Sequence, residues 1–124
     1  MNERFTSPQY KFGPHQRLTN SSEYEPVLNH PDGVFRSGPI RILAKSSALG
    51  NARLGLVIPK RVVRKSTDRN GIKRIVREWF RTNSRDIPSV DVVVIIRSRP
   101  SDSRNTGLLI RSALERWKRS IGSS

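Results

Sequence analysis

Apolar positions recur along this chain with two different periods. Ile72, Ile75, Val76, Trp79 and Phe80 repeat at intervals of three and four, and at about 100° per residue they share one side of a helix over residues 68–83. Ser66, Thr67 and Asp68 offer side-chain oxygens to the orphan N–H groups of its first turn, while Asn83 and Pro88 suit its end. A second stripe, Ile110, Ala113, Leu114, Trp117 and Ile121, predicts a packed C-terminal helix with Arg111, Lys118 and Arg119 outside the stripe. Residues 90–96 lie between the two. They are nearly continuous β-branched apolar sequence, the mark of a central strand covered on much of both faces.

The first half is more broken. Residues 20–29 read as a short helix, with Ser22 three before Glu25 as a capping signal and Tyr24, Val27 and Leu28 as its apolar positions. Pro26 works against that helix, because it disfavours helical geometry at Glu25 outside a first turn. Residues 30–39 hold two prolines and two glycines and predict a turn leading through Val34 and Phe35 into the next segment. Residues 40–44 then read as a strand, 46–52 as a turn, and 54–58 as a second strand stopped by Pro59. The pair suggests a hairpin. The result is one α+β sandwich in the order α-β-β-β-α-β-α, with helices on a mostly antiparallel sheet of about four strands. A strand, helix, strand passage such as residues 53–97 is ordinarily given a right-handed crossover.

Charge changes this picture from a fold into a function class. The chain has 124 residues, enough for one core, and a formal net charge of +14. Residues 60–81 carry nine basic side chains against two acidic ones, which is half of that excess. On the predicted helix, Asn70, Lys73, Arg74, Arg77 and Arg81 fall opposite the apolar side, about one turn apart. Lys73 with Arg77 and Arg77 with Arg81 are like-charge pairs at i, i+4, and only Glu78 stands near enough to offset them. A solvated basic face is the simplest account of such a run. The density of repulsion here points instead to a polyanion, RNA or DNA. A membrane surface suits it less, since the terminal helix offers Trp117 but little apolar face beyond what a core would take.

Enzymatic chemistry is not assembled by these residues. Ten carboxylates, two histidines (His15 and His30) and no cysteine give no nucleophile with a base, no zinc ligand set and no disulfide framework. Asp86 and Asp91 flank Pro88 and could hold a metal, although a helix end and a strand start account for them equally simply. Glu78 among arginines reads as a charge partner rather than a general base. Neither nucleotide-binding glycine fingerprint occurs. Residues 1–16 read as a flexible arm in which Tyr10, Lys11, Phe12 and His15 could meet nucleic acid, residues 17–121 as one domain and 122–124 as a tail. The arm contains no secretory signal, and nothing directs the chain out of the cytoplasm.

The run Arg69, Asn70, Lys73, Arg74, Arg77 spells R-N-x-x-K-R-x-x-R, which resembles the signature of the bacterial ribonuclease P protein family. LGLVIPKR at 54–61, DVVVII at 91–96 and the RLT…SEY start at 17–24 occupy the order that family shows, so the resemblance covers roughly residues 17–119. It implies a left-handed crossover and a basic helix that contacts the enzyme's catalytic RNA. The RNA-binding positions it suggests, taken with the basic run, are Lys60, Arg61, Arg64, Lys65, Arg69, Asn70, Lys73, Arg74, Arg77 and Arg81. It also implies a cleft for the 5′ leader of precursor tRNA, with Tyr24 and Leu28 as its candidate residues; the same two side chains equally suit anchoring the short helix. Catalysis would then belong to the RNA and the Mg²⁺ it binds, with no catalytic residue or metal in the protein, and the partners would be that RNA and precursor tRNA, not DNA. Three positions depart from the family pattern: Gly71 where arginine is common, Leu28 where an aromatic is frequent, and Pro26 within the helix. A ribosomal or other structured-RNA-binding protein shares the same charge and size.

Overall fold

A computed structural model of the chain describes residues 16–97 and 106–122. The elements are α1 (Ser21–Asn29), β1 (Gly33–Ser37), β2 (Ile40–Ser46), β3 (Arg53–Val57), α2 (Ser66–Asn83) with a short 3₁₀ turn at Ser84–Asp86, β4 (Val90–Ile96) and α3 (Thr106–Gly122). This is the order the sequence predicts. The aromatic and basic residues of the N-terminal arm, Tyr10, Lys11, Phe12 and His15, lie outside the described residues.

The four strands form one sheet in the order β1-β2-β4-β3. β4 pairs antiparallel with β2, from Ile40 opposite Ile96 to Ser46 opposite Val90, and parallel with β3, from Arg53 opposite Asp91 to Val57 opposite Ile95. The hairpin expected between residues 40–44 and 54–58 therefore does not form. β4 stands between them, because Val92, Val93, Val94 and Ile96 are all buried and such a strand needs a neighbour on each edge and a layer on each face. The hairpin of this fold is β1–β2, closed by Gly38–Pro39 between Ser37 and Ile40. Gly38 has φ +56, a conformation the first position of a tight two-residue turn favours and only glycine adopts without cost. Residues 33–37, read from sequence as part of a turn, are thus an edge strand.

Helices cover the two sheet faces unequally. α2 and α3 pack on one face, where Ile42, Val92, Val94 and Ile96 meet Val76, Trp79, Phe80, Ile110, Leu114 and Trp117 in the main core. Side chains of this size each contribute about 1.5–3 kcal/mol when fully buried. The two helices are also tied by polar groups. Trp79 Nε1 donates to Glu115 Oε2 at 2.6 Å, and Lys118 Nζ donates to Asn83 Oδ1 at 2.8 Å. On the opposite face α1 covers a smaller cluster of Leu18, Val27, Leu43 and Val93, with Tyr24, Val57 and Ile95 beside it.

Both helix starts differ from expectation. α1 is capped by Asn20, whose side chain accepts from Glu23 N–H at 3.1 Å, while Glu23 reaches back to accept from Thr19 N–H at 2.7 Å. The cap joins Asn20 to Glu23 N–H and the Glu23 carboxylate to Thr19, not Ser22 to Glu25, and the helix continues through Pro26. α2 begins at Ser66 behind Lys65, with no side-chain cap. Ser66, Thr67 and Asp68 occupy its first turn instead, where the Asp68 carboxylate complements the positive end of the helix dipole.

Candidate nucleic-acid interface

The amphipathic period of α2 decides what this surface presents. With Ile72, Val76, Trp79 and Phe80 buried, the residues half a turn away face outward. Asn70, Lys73, Arg74, Arg77 and Arg81 line one open groove of about 500 Å³, together with Glu78 and Arg17. Arg17 arrives from outside the helix. The segment before α1 runs parallel to β3, with Arg17 bridging Leu54 and Leu18 N–H donating to Leu54 C=O at 2.9 Å, so Arg17 stands across the groove from α2. The sequence had no local signal for this; only the pairing of residues 17–18 with the sheet edge carries Arg17 there.

One carboxylate lies in the groove, and it is engaged. Arg81 Nε donates to Glu78 Oε2 at 2.8 Å, the intrahelical pairing expected for Glu78. The groove's lining therefore remains strongly cationic. The two other carboxylates considered for metal are also in ion pairs: Asp91 with Arg53 and Asp86 with Lys118. Among the described residues no group of three His, Cys, Asp or Glu side chains stands close enough to hold a metal ion.

The remaining candidates divide in two. Lys60, Arg61, Arg64 and Lys65 are exposed on the turn between β3 and α2, which is closed by Val62 and Val63 N–H groups donating to Pro59 C=O at 2.9 and 3.0 Å. Val62 and Val63 are buried, and this anchors the turn while its four cations point to solvent. Arg69 is placed differently. Its Nη1 donates to the carbonyls of Val63 and Arg64, both at 2.9 Å, so the guanidinium braces the turn from the first part of α2.

A second surface lies on the other side of the sheet, beside α1. Tyr24 is half-buried and its hydroxyl accepts from Leu56 N–H at 3.1 Å, which fixes the ring against β3. Leu28, 40% exposed, lies on the outside of α1. Strand alternation puts Arg36 and Arg41 on this face, directly opposite one another, beside Val34 and Leu43. Arg97 joins them. Burial, then the neighbouring charges of Arg97 and Arg36, push the Arg41 guanidinium below its ordinary value. Like charges placed opposite each other in a sheet cost stability, and three guanidiniums together suit an anion. The sequence reading passed over all three because they are scattered singly through residues 36–97.

At the opposite end of β4 the charges are neutralised. Arg53 Nε and Nη2 donate to the two oxygens of Asp91, each at 2.8 Å, and Arg53 Nη1 donates to Glu23 Oε2 at 2.9 Å. The hydrogen bonds and charge of Asp91 and Glu23 raise the Arg53 value against the effect of burial. Hydrogen bonds from Thr19 in turn hold the Glu23 carboxyl below its usual range.

The sequence and fold have counterparts among known proteins. The family model described as Ribonuclease P matches residues 12–120. The ribonuclease P protein component of Saccharophagus degradans is 40% identical over 112 residues, spanning 90% of this chain and 82% of that protein. That of Chromohalobacter salexigens is 38% identical over 104 residues, spanning 84% and 80%. Among solved structures, the RNase P protein of Thermotoga maritima superposes with a TM-score of 0.68 at 28% identity, covering 83% of this chain and 96% of that one. The Staphylococcus aureus RNase P protein has the same fold, with a TM-score of 0.70 at 22% identity over 82% of this chain and 90% of its own.

Proposed function

The chain belongs to the ribonuclease P protein family, and from that membership we propose that it grips the enzyme's catalytic RNA along the α2 groove and the 5′ leader of precursor tRNA on the opposite sheet face, beside α1. In this reading the RNA, with the Mg²⁺ it binds, performs the hydrolysis that frees the mature tRNA 5′ end. The protein neutralises phosphates and holds substrate, and none of its side chains is catalytic. The complex works in the cytoplasm.

The observation that carries the reading is the convergence of Lys73, Arg74, Arg77, Arg81 and Arg17 on one groove whose only carboxylate among the described residues, Glu78, is engaged with Arg81. Guanidinium groups bind phosphate through paired N–H donors, and a groove neutralising about five phosphates loses affinity with a log–log salt slope of about −4.5. On the other face, Arg36, Arg41 and Arg97 supply charge for the leader's phosphates while the Tyr24 ring, Leu28 and Val34 supply surface for its bases. Recognition of that kind is indifferent to base identity, as a processing enzyme with many substrates requires.

The test adds purified protein to the cognate catalytic RNA at low Mg²⁺ and follows leader removal from precursor tRNA. Restored cleavage, with protein inert alone, supports the reading. An RNA unaffected by the protein would assign the groove to some other structured RNA.

A further inference from the structure

α1 cannot hold its own position. Its nine residues fall short of the roughly 12–15 an isolated helix needs in water, Pro26 removes a backbone donor, and Val27 is its one fully buried residue among those described. Its placement over the sheet depends on ties to other elements. Arg53 makes one of them. Two of its donors fork onto Asp91 of the central strand β4, and this bidentate pair fixes the guanidinium plane. Its Nη1 then reaches Glu23 on α1 at 2.9 Å. The three side chains are largely sheltered, with 17%, 15% and 28% of Arg53, Asp91 and Glu23 exposed, so the pairing is less screened than a surface bridge.

Glu23 immediately precedes Tyr24, and Tyr24 rests on Gly55, two residues along β3 from Arg53. Building on the leader reading above, we propose that Arg53 is a positioning residue: it sets how α1 presents Tyr24 to the leader, without touching RNA itself. Its influence is selective. The α2 groove is joined to the same strand through the Leu18–Leu54 backbone hydrogen bond and the Arg17–Leu54 bridge, neither of which involves the Arg53 side chain. Loss of Arg53 therefore loosens the leader face and spares the groove.

The test uses holoenzyme reconstituted with the cognate catalytic RNA, and compares affinity for precursor and mature tRNA in the wild type, Arg53→Met, Tyr24→Ala and the double variant. Arg53→Met is expected to bind the catalytic RNA within about twofold of wild type. Its preference for precursor over mature tRNA should fall about fivefold, the low end of what one stacked base contributes. Because Arg53 acts through Tyr24, the double variant should lose no more preference than Tyr24→Ala alone. A retained preference in Arg53→Met, or losses that multiply in the double variant, overturns the proposal. Thermal unfolding checks that each variant is folded, and Glu23→Gln, which leaves Arg53 paired with Asp91 and keeps an acceptor for Thr19, carries the same test if Arg53→Met does not fold. A wild type with no preference for precursor would reject the leader reading and this inference together, whereas failure confined to the variants rejects the inference alone.

Discussion

The ring of Tyr24 lies where a side chain on Gly55 would begin. A Cβ built on Gly55 would stand 2.6 Å from Tyr24 Cε1 and 2.9 Å from its hydroxyl oxygen, which itself accepts from Leu56 N–H. Tyr24 is thus an anchor of α1, and the bare backbone of Gly55 is the surface it anchors to. Gly55→Ala is expected to lift the ring and lower stability by about 1–3 kcal/mol, as overpacking does. Tyr24→Phe keeps the ring and leaves the Leu56 N–H without its partner, for about 1 kcal/mol. Urea unfolding at neutral pH measures both, and a Gly55→Ala protein as stable as wild type would contradict the contact.

The groove cations should separate from Arg69 when stability and RNA affinity are measured side by side. Arg74→Ala and Arg77→Ala remove charge from an exposed face, so each is expected to weaken catalytic-RNA binding and to reduce the salt slope by about 0.9, with melting temperature nearly unchanged. Arg69→Ala strips the charged donor from the Val63 and Arg64 carbonyls. It should lower the melting temperature as well as RNA affinity, because the turn bearing Lys60, Arg61, Arg64 and Lys65 loses its brace. Equal melting temperatures for all three variants would return Arg69 to the group of direct contacts.

Much of this could be read from the residues, and the misses have physical causes. The α2 stripe and the Val90–Ile96 strand were legible because burial there follows a single local period. The 40–44 and 54–58 pairing was misread because strand neighbours are chosen by what the most buried strand needs, and proximity in sequence carries no weight against that. Arg17 and the Arg36, Arg41, Arg97 cluster stayed hidden for the same reason: register places them, and register is a long-range property. Pro26 works in the other direction, against a helix that nevertheless forms as predicted. Its cost is local, while the Asn20 cap, the Tyr24 hydroxyl bond and the Arg53 tie that offset it come from the cap and from β3.

Acid should loosen α1 and the β1–β2 end of the sheet. Glu23 is held below its ordinary value of 4.5 chiefly by hydrogen bonds from Thr19, and Asp32 below 3.8 chiefly by the Ser46 N–H bond. A carboxylate lowered on folding contributes stability that is complete above its unfolded value and is lost as pH falls through the folded one. Stability is therefore expected to be flat in this respect above about pH 5 and to decline below about pH 4.5. Melting temperatures taken across that range check it: Glu23→Gln and Asp32→Asn should each flatten the decline, and an unchanged profile in both would show that other carboxylates control acid unfolding.

Gly71 is the position where this chain gives away both stability and charge, and the structure leaves room to recover them. A Cβ built there meets no atom within 4 Å, and the residue lies inside α2 between Asn70 and Ile72. Glycine inside a helix costs about 1 kcal/mol relative to alanine, so Gly71→Ala is expected to stabilise the protein by up to about that amount and to leave RNA affinity unaltered. Gly71→Arg should keep most of the helix gain. It gives back a few tenths of a kcal/mol by repulsion from Arg74 one turn on, roughly what an exposed like-charge pair costs. Its new charge stands next to Asn70 at the groove, so the salt slope for catalytic-RNA binding should steepen by about 0.9 relative to Gly71→Ala. Thermal unfolding of the three proteins together with their log–log salt slopes separates the two effects. A steeper slope in Gly71→Arg alone would mean that the groove's phosphate path extends toward the N-terminal part of α2, and equal slopes would end that path at Lys73 and Arg74.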